Sequence, residues 1–251
     1  MDISERNGEV SRRHPWELAR SHFFSTVLQR EGAVGTSTTI LDVGAGDAWF
    51  SQQLLTRYAQ GAQITCWDIN YDDEILEVGA SDVSGLTMTA EKPLSRFNGL
   101  LMLDVIEHVE DDVGFVQEIV RDLMDENGWA LVSVPAYQRL YTSHDTALHH
   151  YRRYSPGQCR RVLRSAGLVP VLQGGLYQSL LFIRGLQALR ELVAPPPSSH
   201  GIGAWEGGEV QTKAMTRWLD YEGRLSIEVA TRTGFTLPGL SYWAFCVPSS
   251  G

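Results

Sequence analysis

The stretch Thr38-Thr-Ile-Leu-Asp-Val-Gly-Ala-Gly-Asp-Ala-Trp-Phe-Ser-Gln-Gln-Leu-Leu55 decides the fold class of this chain. It begins with an apolar, β-branched run from Thr39 to Val43, which predicts a buried strand. The run breaks at Gly44 and Gly46, and apolar residues then return at helical spacing. A strand, a glycine turn and a helix open a doubly wound α/β sheet, in which a ligand lies over the carboxyl end of the strand.

The glycine turn also indicates the kind of ligand. Glycine has no Cβ, so a ligand can approach the backbone closely at Gly44 and Gly46. The dinucleotide fingerprint requires a further glycine after Gly46, which this chain lacks, and the phosphate contacts depend on that turn. The sequence therefore favours a cofactor without a pyrophosphate.

A second strand is predicted over Gln63–Trp67, and Asp68 follows it directly. An acidic side chain about 20 residues after the glycines is placed to hold ribose hydroxyls. Taken alone, Asp68 is more typical of a turn or a helix cap than of a ribose contact. Combined with the glycine turn, its position favours the ribose contact.

Three segments carry a family resemblance: Ile40-Leu-Asp-Val-Gly-Ala-Gly46, Trp67-Asp-Ile-Asn70 and Leu103-Asp-Val-Ile-Glu-His-Val-Glu-Asp-Asp112. In order and spacing they resemble motifs I, II and IV of class I S-adenosylmethionine-dependent methyltransferases. The resemblance runs from about residue 16 to 175 and, more weakly, to 247. It implies a Rossmann-like α/β fold with a seven-stranded, mostly parallel sheet, an antiparallel last strand and a helical insertion, binding S-adenosylmethionine.

The resemblance also implies which residues bind this cofactor. They follow the predicted strands or lie at their ends: Asp42, Gly44, Gly46, Asp47, Asp68, Ile69, Thr89, Ala90, Leu103, Asp104 and Val105. Many relatives carry an acidic residue just after the third strand, near the adenine, where this chain has Thr89 and Ala90 followed by Glu91. The adenine contact therefore stays open.

An amphipathic helix is predicted from Pro15 onward, before the first strand. By the resemblance such a helix covers the cofactor, and Arg20 would suit its methionyl carboxylate. Trp16 could face the same ligand. The alternative, which the sequence favours, makes both residues ordinary surface and core positions of a helix.

Composition bounds the class of protein. With 251 residues, of which 43% are hydrophobic, one α/β domain can bury a full core. The net charge of -9 argues against nucleic-acid partners, whose backbone requires a basic surface. Cys66, Cys159 and Cys246 have neither metal nor disulfide spacing, which favours a reducing, cytoplasmic setting. A small-molecule substrate is expected, and a homo-oligomer is compatible with this composition.

We expect one methyltransferase domain over residues 1–251. Its predicted parts are a cover helix at 14–30, a cofactor-binding core at 38–134, an active-site loop at 135–154, a helical insertion or lid at 176–235 and a last strand at 240–247. Strands are also predicted at 129–134, ending before Pro135, and at 168–172.

The insertion raises two further questions. Leu176–Val193 is apolar, but Arg184, Arg190 and Glu191 interrupt it, so we expect no stable membrane insertion. The Pro- and Gly-rich segment 194–208 contains Trp205, which is interpreted as a lid residue landing on substrate or as part of a surface loop.

The turn Asp104–His108 lies at the carboxyl end of the fourth strand and has three interpretations. The acidic residues could cap the following helix, with His108 packed beside the cofactor. His108 could take a proton from the substrate. Asp104, Glu107 and His108 also resemble the metal-ligand set of small-RNA 2'-O-methyltransferases and ubiquinone-pathway O-methyltransferases. Most relatives with this turn need no metal, so we expect none.

The segment 136–154 is rich in histidine and tyrosine and follows the fifth strand. It resembles the His-Asp-x-x-x-x-His-Tyr-Arg-Arg-Tyr segment of bacterial methyltransferases linked to glycan or secondary-metabolite pathways. We expect His144, Asp145 and His149 in the active site. Arg152 and Arg153 are interpreted either as active-site residues or as partners of acidic surface residues.

The sequence thus predicts a small-molecule methyltransferase, most readily O-directed, whose catalytic base is His108, His144 or His149. One alternative is an enzyme that transfers the aminobutyryl arm of the cofactor or cyclises it. Another is a non-catalytic cofactor-binding protein, against which the intact Asp42, Gly44, Gly46 and Asp68 set argues.

Overall fold

A computed structural model describes residues 13–79, 83–191, 205 and 207–249 of the chain. The helices are α1 Pro15–Arg30, α2 Trp49–Arg57, α3 Asp73–Gly79, α4 Asp112–Leu123, α5 Ser143–Ala147, α6 Pro156–Ser165, α7 Gln178–Glu191 and α8 Glu209–Thr233. The strands are β1 Thr39–Val43, β2 Gln63–Trp67, β3 Leu86–Thr89, β4 Phe97–Leu103, β5 Met124–Pro135, β6 Leu168–Leu176 and β7 Ser241–Pro248. Most of the Pro- and Gly-rich segment 194–208 lies outside the described residues, namely 194–204 and 206.

The strands form one seven-stranded sheet in the order β3-β2-β1-β4-β5-β7-β6. Strand β7 runs antiparallel to both β5 and β6, and every other neighbouring pair is parallel. This confirms the predicted Rossmann-like fold with an antiparallel last strand. The strand order reverses between β1 and β4, so a crevice opens at the carboxyl ends of these two strands.

Each face of the sheet carries its own apolar cluster. On one face α1 and α8 pack against the sheet, where the Phe23 ring meets the indole of Trp243 at a centroid distance of 5.0 Å. On the other face Val116 of α4 and Leu163 of α6 pack over the sheet beside Tyr242. Adjacent residues of β7 therefore serve opposite faces, because side chains alternate along a strand.

Pairing with neighbours extends two strands beyond the predicted bounds. Strand β6 continues to Leu176, not 172, because it pairs with β7 as far as Ser241. The insertion helix therefore begins at Gln178, after Tyr177 turns the chain with a φ of 66°. Strand β5 extends beyond the predicted 129–134 at both ends: it begins at Met124, which pairs with Phe97, and ends at Pro135, which pairs with Ser241.

In the part of the chain that the structure describes, none of the helices combines the length and apolarity that crossing a bilayer requires.

Gly99 in β4 tests the packing of the sheet. A Cβ at this position would lie 2.1 Å from the Trp129 ring, which is stacked on Phe245. We expect Gly99→Ala to lower the free energy of unfolding by about 1–3 kcal/mol through overpacking. Urea denaturation followed by circular dichroism measures the change.

Gly185→Ala in α7 is the matched control, since an added Cβ there meets no atom within 4 Å. It should leave stability unchanged or raise it by up to about 1 kcal/mol, because alanine favours a helix over glycine. Equal destabilisation by both substitutions would contradict the packing argument.

Candidate active site

A first cavity lies over the carboxyl end of β1 and is covered by α1. Its walls combine aromatic rings with charged groups: Trp16, Glu17, Arg20, Ser21, Phe24, Asp42, Gly44, Ala45, Asp47, Trp49, Phe50 and Leu103. The predicted residues Asp42, Gly44, Asp47 and Leu103 are therefore brought together in this cavity, and Trp16 and Arg20 of the predicted cover helix join them.

The glycine turn after β1 is shaped by backbone conformations that suit glycine. Gly44 and Gly46 have φ angles of 63° and 57°. A Cβ on Gly44 would lie 3.0 Å from a methyl group of Val105, so the turn after β4 packs directly against this glycine. The close approach explains why Val105, another predicted residue, contributes to the shape of the turn.

Asp68 links the turns that follow β1 and β2. Its carboxylate accepts hydrogen bonds from the Gly46 backbone N–H at 2.9 Å and from the backbone and side chain of Asn70 at 2.9 and 3.0 Å. Each carboxylate oxygen has two lone pairs, so acceptor capacity remains for hydroxyl groups of a ligand.

The remaining predicted cofactor residues lie along the same edge of the sheet. Thr89 pairs with Trp67 in register, so Thr89 and Ala90 end β3 beside the end of β2. Ile69 directly follows Asp68 and is 78% exposed, which leaves an apolar surface at this edge.

Asp42 is buried beneath the first cavity and accepts a hydrogen bond from the Ser51 hydroxyl at 2.6 Å. Burial penalises the charged carboxylate and raises the pKa of Asp42 to about 6. A cationic ligand group nearby would favour the ionised form.

Two arginines bring positive charge to the first cavity. The Arg20 guanidinium pairs with Asp104 at 2.8 Å and lies 5.5 Å from the centroid of the Phe24 ring. Arg13 pairs with Asp47 and lies 4.8 Å from the centroid of the Trp49 ring. Sequence reasoning missed Arg13, because it precedes the helix and no motif marks it.

Asp104 does not face the histidines that follow it. Its carboxylate receives Arg20 and accepts a hydrogen bond from the Ser133 hydroxyl at 2.9 Å. The backbone at Asp104 has a φ of 60°, a left-handed conformation that is costly for a residue other than glycine. The ligand set Asp104, Glu107 and His108, considered from the sequence, is therefore not assembled.

A second cavity opens beyond this turn. It is lined by three imidazoles, two phenols and a threonine: His108, Tyr141, Thr146, His149, His150 and Tyr151. Two of the predicted catalytic histidines, His108 and His149, thus share one cavity. The third, His144, is not among its lining residues; burial and the Arg184 charge lower the pKa of His144 to about 4.

Asp145, which was expected in the active site, lies at the centre of a buried charge cluster. It accepts hydrogen bonds from Arg153 at 2.7 Å, Arg184 at 3.0 Å and the Thr142 backbone at 2.9 Å, and its carboxylate lies 3.0 Å from Nδ1 of His150. Burial alone would raise the pKa of Asp145, but the bonds to His150 and Arg153 outweigh it and hold the pKa well below its usual range.

The two arginines of the segment therefore have different roles. Arg153 is buried against Asp145, so its interpretation as a surface residue is wrong. Arg152 is half-buried and pairs with Asp112 at 3.1 Å, but Asp112 is itself buried, so this partner is not the surface carboxylate that was expected.

Glu107 lies in the 3-10 turn Ile106–His108 after β4, and its side chain is fully buried. Neither of its carboxylate oxygens has a hydrogen-bond partner in the described chain. Burial and the nearby Asp104 charge raise the pKa of Glu107 well above its usual range. The sequence indicated Glu107 as a possible helix cap or metal ligand, but its burial without a partner was not predicted, because burial depends on the packed structure.

Trp205 packs against His14, the residue that precedes α1. Its ring meets His14 edge-on at a centroid distance of 5.0 Å, and its indole N–H donates to Thr212 at 2.7 Å. These contacts fix Trp205 beside α1 and α8.

The chain matches a known protein family in sequence. A family model described as a methyltransferase domain matches residues 15–173. No curated protein matches the chain in sequence.

Several solved structures share the fold. A protein provisionally assigned as a sarcosine dimethylglycine methyltransferase, from Galdieria sulphuraria, has a TM-score of 0.58 at 15% identity and covers 92% of this chain and 85% of its own. The [4+2]-cyclase SpnF has a TM-score of 0.56 at 15% identity, and the match covers 98% of this chain and 86% of the cyclase. A Haemonchus contortus phosphoethanolamine N-methyltransferase, solved with S-adenosylhomocysteine, has a TM-score of 0.54 at 15% identity. The match covers 90% of this chain and 52% of that enzyme.

The raised pKa of Asp42 makes a prediction about pH. The folded chain binds this proton up to about pH 6, whereas an unfolded aspartate releases it near pH 4, so the Asp42 contribution to stability falls as pH rises through this window. Asp42→Asn keeps an acceptor for Ser51 but cannot ionise. We expect its stability relative to wild type to rise by roughly 2–3 kcal/mol between pH 4 and 7.

Urea denaturation at pH 4, 5, 6 and 7 measures this difference. Asp73→Asn, in the exposed first turn of α3, is the control and should show no such trend. A difference between Asp42→Asn and wild type that stays constant across this range would contradict the burial argument.

Proposed function

Because the chain belongs to the S-adenosylmethionine-dependent methyltransferases and S-adenosylmethionine is its cofactor, we propose that it methylates an oxygen atom of a small molecule. The observation that carries this proposal is the second cavity, which is lined by histidines and tyrosines. As its resemblance to the glycan and secondary-metabolite group implies, the acceptor is a sugar, a polyketide or another secondary metabolite.

The first cavity fits the cofactor in chemistry. The methionyl end of S-adenosylmethionine carries an amine and a carboxylate, for which buried Asp42 and Arg20 supply opposite charges. Gly44 lines this cavity without a Cβ, so a ligand can approach its backbone closely. Asp68 supplies acceptor capacity for the ribose hydroxyls, and exposed Ile69 offers an apolar surface for the adenine.

The second cavity supports an acceptor site beside this cofactor. Leu103, just before the turn that ends β4, lines the first cavity, and His108, at the end of the turn, lines the second. Methyl transfer is an in-line displacement, so aligning acceptor and methyl group and excluding water supply much of the catalysis. The two cavities on either side of one turn suit this alignment.

An oxygen acceptor is favoured by the imidazoles. A hydroxyl must lose its proton when it is methylated, and a neutral imidazole can accept it. His108 and His149 line the acceptor cavity, while burial keeps the pKa of His144 near 4, so that its ring is neutral at pH 7. We propose that the base is among these three. The chain's charge of -9 argues against a nucleic-acid acceptor.

Asp68 tests the cofactor site. Asp68→Ala should weaken binding of S-adenosylmethionine and S-adenosylhomocysteine by about 10-fold or more, roughly 1.4 kcal/mol, because the ribose loses its acceptor. Isothermal titration calorimetry measures both affinities. Asp73→Ala, which removes an exposed carboxylate from α3, should bind like wild type.

Asp68→Asn separates ribose binding from the link between the two turns, since its amide oxygen can still accept from Gly46. If wild type binds neither ligand, the cofactor site is refuted. If Asp68→Ala binds as tightly as wild type, the ribose contact is refuted.

Product analysis tests the reaction itself. With a panel of hydroxyl-bearing small molecules, mass spectrometry should detect S-adenosylhomocysteine and a product heavier by one methylene group. Replacing the catalytic base by glutamine should lower kcat by about 10²–10⁴-fold while cofactor affinity is retained. The variants are His108→Gln, His144→Gln and His149→Gln.

Formation of methylthioadenosine instead would show that the aminobutyryl arm, not the methyl group, is transferred. Full activity in all three histidine variants would refute a histidine base.

A further inference from the structure

A glutamate and two histidines converge at the inner end of the second cavity. The Glu107 carboxylate and the imidazoles of His108 and His150 each offer one ligand atom, and all three atoms lie within 4.8 Å of one another. Glu107 and His108 belong to the 3-10 turn Ile106–His108 after β4, whereas His150 follows α5. Two separate segments thus bring metal-binding side chains to one point.

Glu107 gives independent support for a ligand at this point. Its side chain is fully buried, and neither carboxylate oxygen has a hydrogen-bond partner among the residues the structure describes. A buried polar group without a partner costs free energy, and native structures almost always satisfy such groups. A cation held between Glu107 and the imidazoles would satisfy this carboxylate.

The backbone around the cluster is fixed before any ion binds. The Tyr151 N–H donates to the Glu107 carbonyl at 2.8 Å, which ties the two segments together beside the cluster. The Tyr141 hydroxyl donates to the His150 carbonyl at 2.7 Å, and the Tyr154 hydroxyl donates to the Ile106 carbonyl at 3.2 Å. Such bonds hold ligands in place and reduce the cost of ordering them.

Asp145 orients the imidazole of His150. Its carboxylate, which also receives Arg153 and Arg184, lies 3.0 Å from Nδ1 of His150. A proton on Nδ1 donates to this carboxylate, which leaves the Nε2 lone pair as the metal-binding atom. Metal-binding histidines commonly have this carboxylate partner on the second nitrogen.

We propose that Glu107, His108 and His150 form a binding site for a divalent transition-metal ion of the zinc type, with an open coordination position toward the second cavity. Two imidazoles and one carboxylate suit such an ion, whereas Mg²⁺ and Ca²⁺ prefer oxygen ligands alone. Three protein ligands with a free fourth position are typical of catalytic rather than structural zinc.

The open position would receive the acceptor oxygen, whose pKa a bound metal lowers. A metal-bound His108 could not also act as the base, which would leave that role to His149 or His144. This use of the site rests on the proposed function, whereas metal binding itself does not. The alternative is a purely structural cluster, in which the rings of His108 and His150 pack edge to face at 4.6 Å. That alternative predicts no metal binding.

The full chain, stripped of metal with EDTA and dialysed, is titrated with Zn²⁺ by isothermal titration calorimetry and then with Mg²⁺. We expect one zinc ion per chain and at least about 10-fold weaker binding of Mg²⁺. Glu107→Gln and His150→Asn should each weaken zinc binding by at least about 10-fold, since each removes a ligand. His149→Gln is the matched control, because His149 lines the same cavity outside the cluster.

Each variant is also titrated with S-adenosylhomocysteine, so that loss of zinc binding is separated from loss of folding. The proposal is overturned if the wild type binds no zinc, if Glu107→Gln and His150→Asn bind it as tightly as wild type, or if His149→Gln loses it equally. Zinc binding without S-adenosylhomocysteine binding would refute the cofactor site but not the metal site. S-adenosylhomocysteine binding without zinc binding would refute the metal site but not the cofactor site.

Discussion

The reversal of strand order between β1 and β4 is the constraint on which the rest of this molecule depends. Crossover connections on the two sides of that point cover opposite faces of the sheet, so the carboxyl ends of the two strands are left open. The glycine turn after β1 and the turn after β4 meet there, with Val105 packed against Gly44. Leu103 lines the first cavity and His108 lines the second, and Val105 lies between them in the chain.

On the acceptor side, the buried charge of Asp145 organises the structure. Its carboxylate joins three parts of the chain, because it binds His150 and Arg153 after α5 and Arg184 of α7. Removing one partner from a buried ionic cluster leaves an uncompensated charge, which typically costs about 3–5 kcal/mol. The helix that follows β6 is thereby connected to the floor of the second cavity.

Backbone strain is concentrated around the same cavities. Asp104, Tyr137, His149 and Tyr177 all have φ angles between 57° and 66°, although none of them is glycine. They follow β4, β5, α5 and β6, where the chain leaves a regular element and turns toward the site. Such conformations persist only where surrounding contacts enforce them. At Asp104 the enforcing contacts are Arg20 and Ser133.

Local patterns were enough to predict several features. The alternation of strands and helices, the glycine turn at 44–46 and the place of Asp68 after β2 each depend on residues close in sequence. The bounds of two strands were wrong, since β5 extends at both ends and β6 at its carboxyl end as far as their partners allow. Pairing between strands is a tertiary property, and no local signal contains it.

The sequence by itself determined the fold class and the strand ends at which the candidate site lies, because periodicity and a glycine turn are local signals. Its resemblance to a known family implied the cofactor. Only the tertiary structure decided which side chains meet. Asp104 turns to Arg20, while His150 joins Glu107 and His108. Burial leaves Glu107 without a hydrogen-bond partner in the described chain and encloses Arg153. These outcomes depend on packing between distant segments, for which the residue types alone set no geometry.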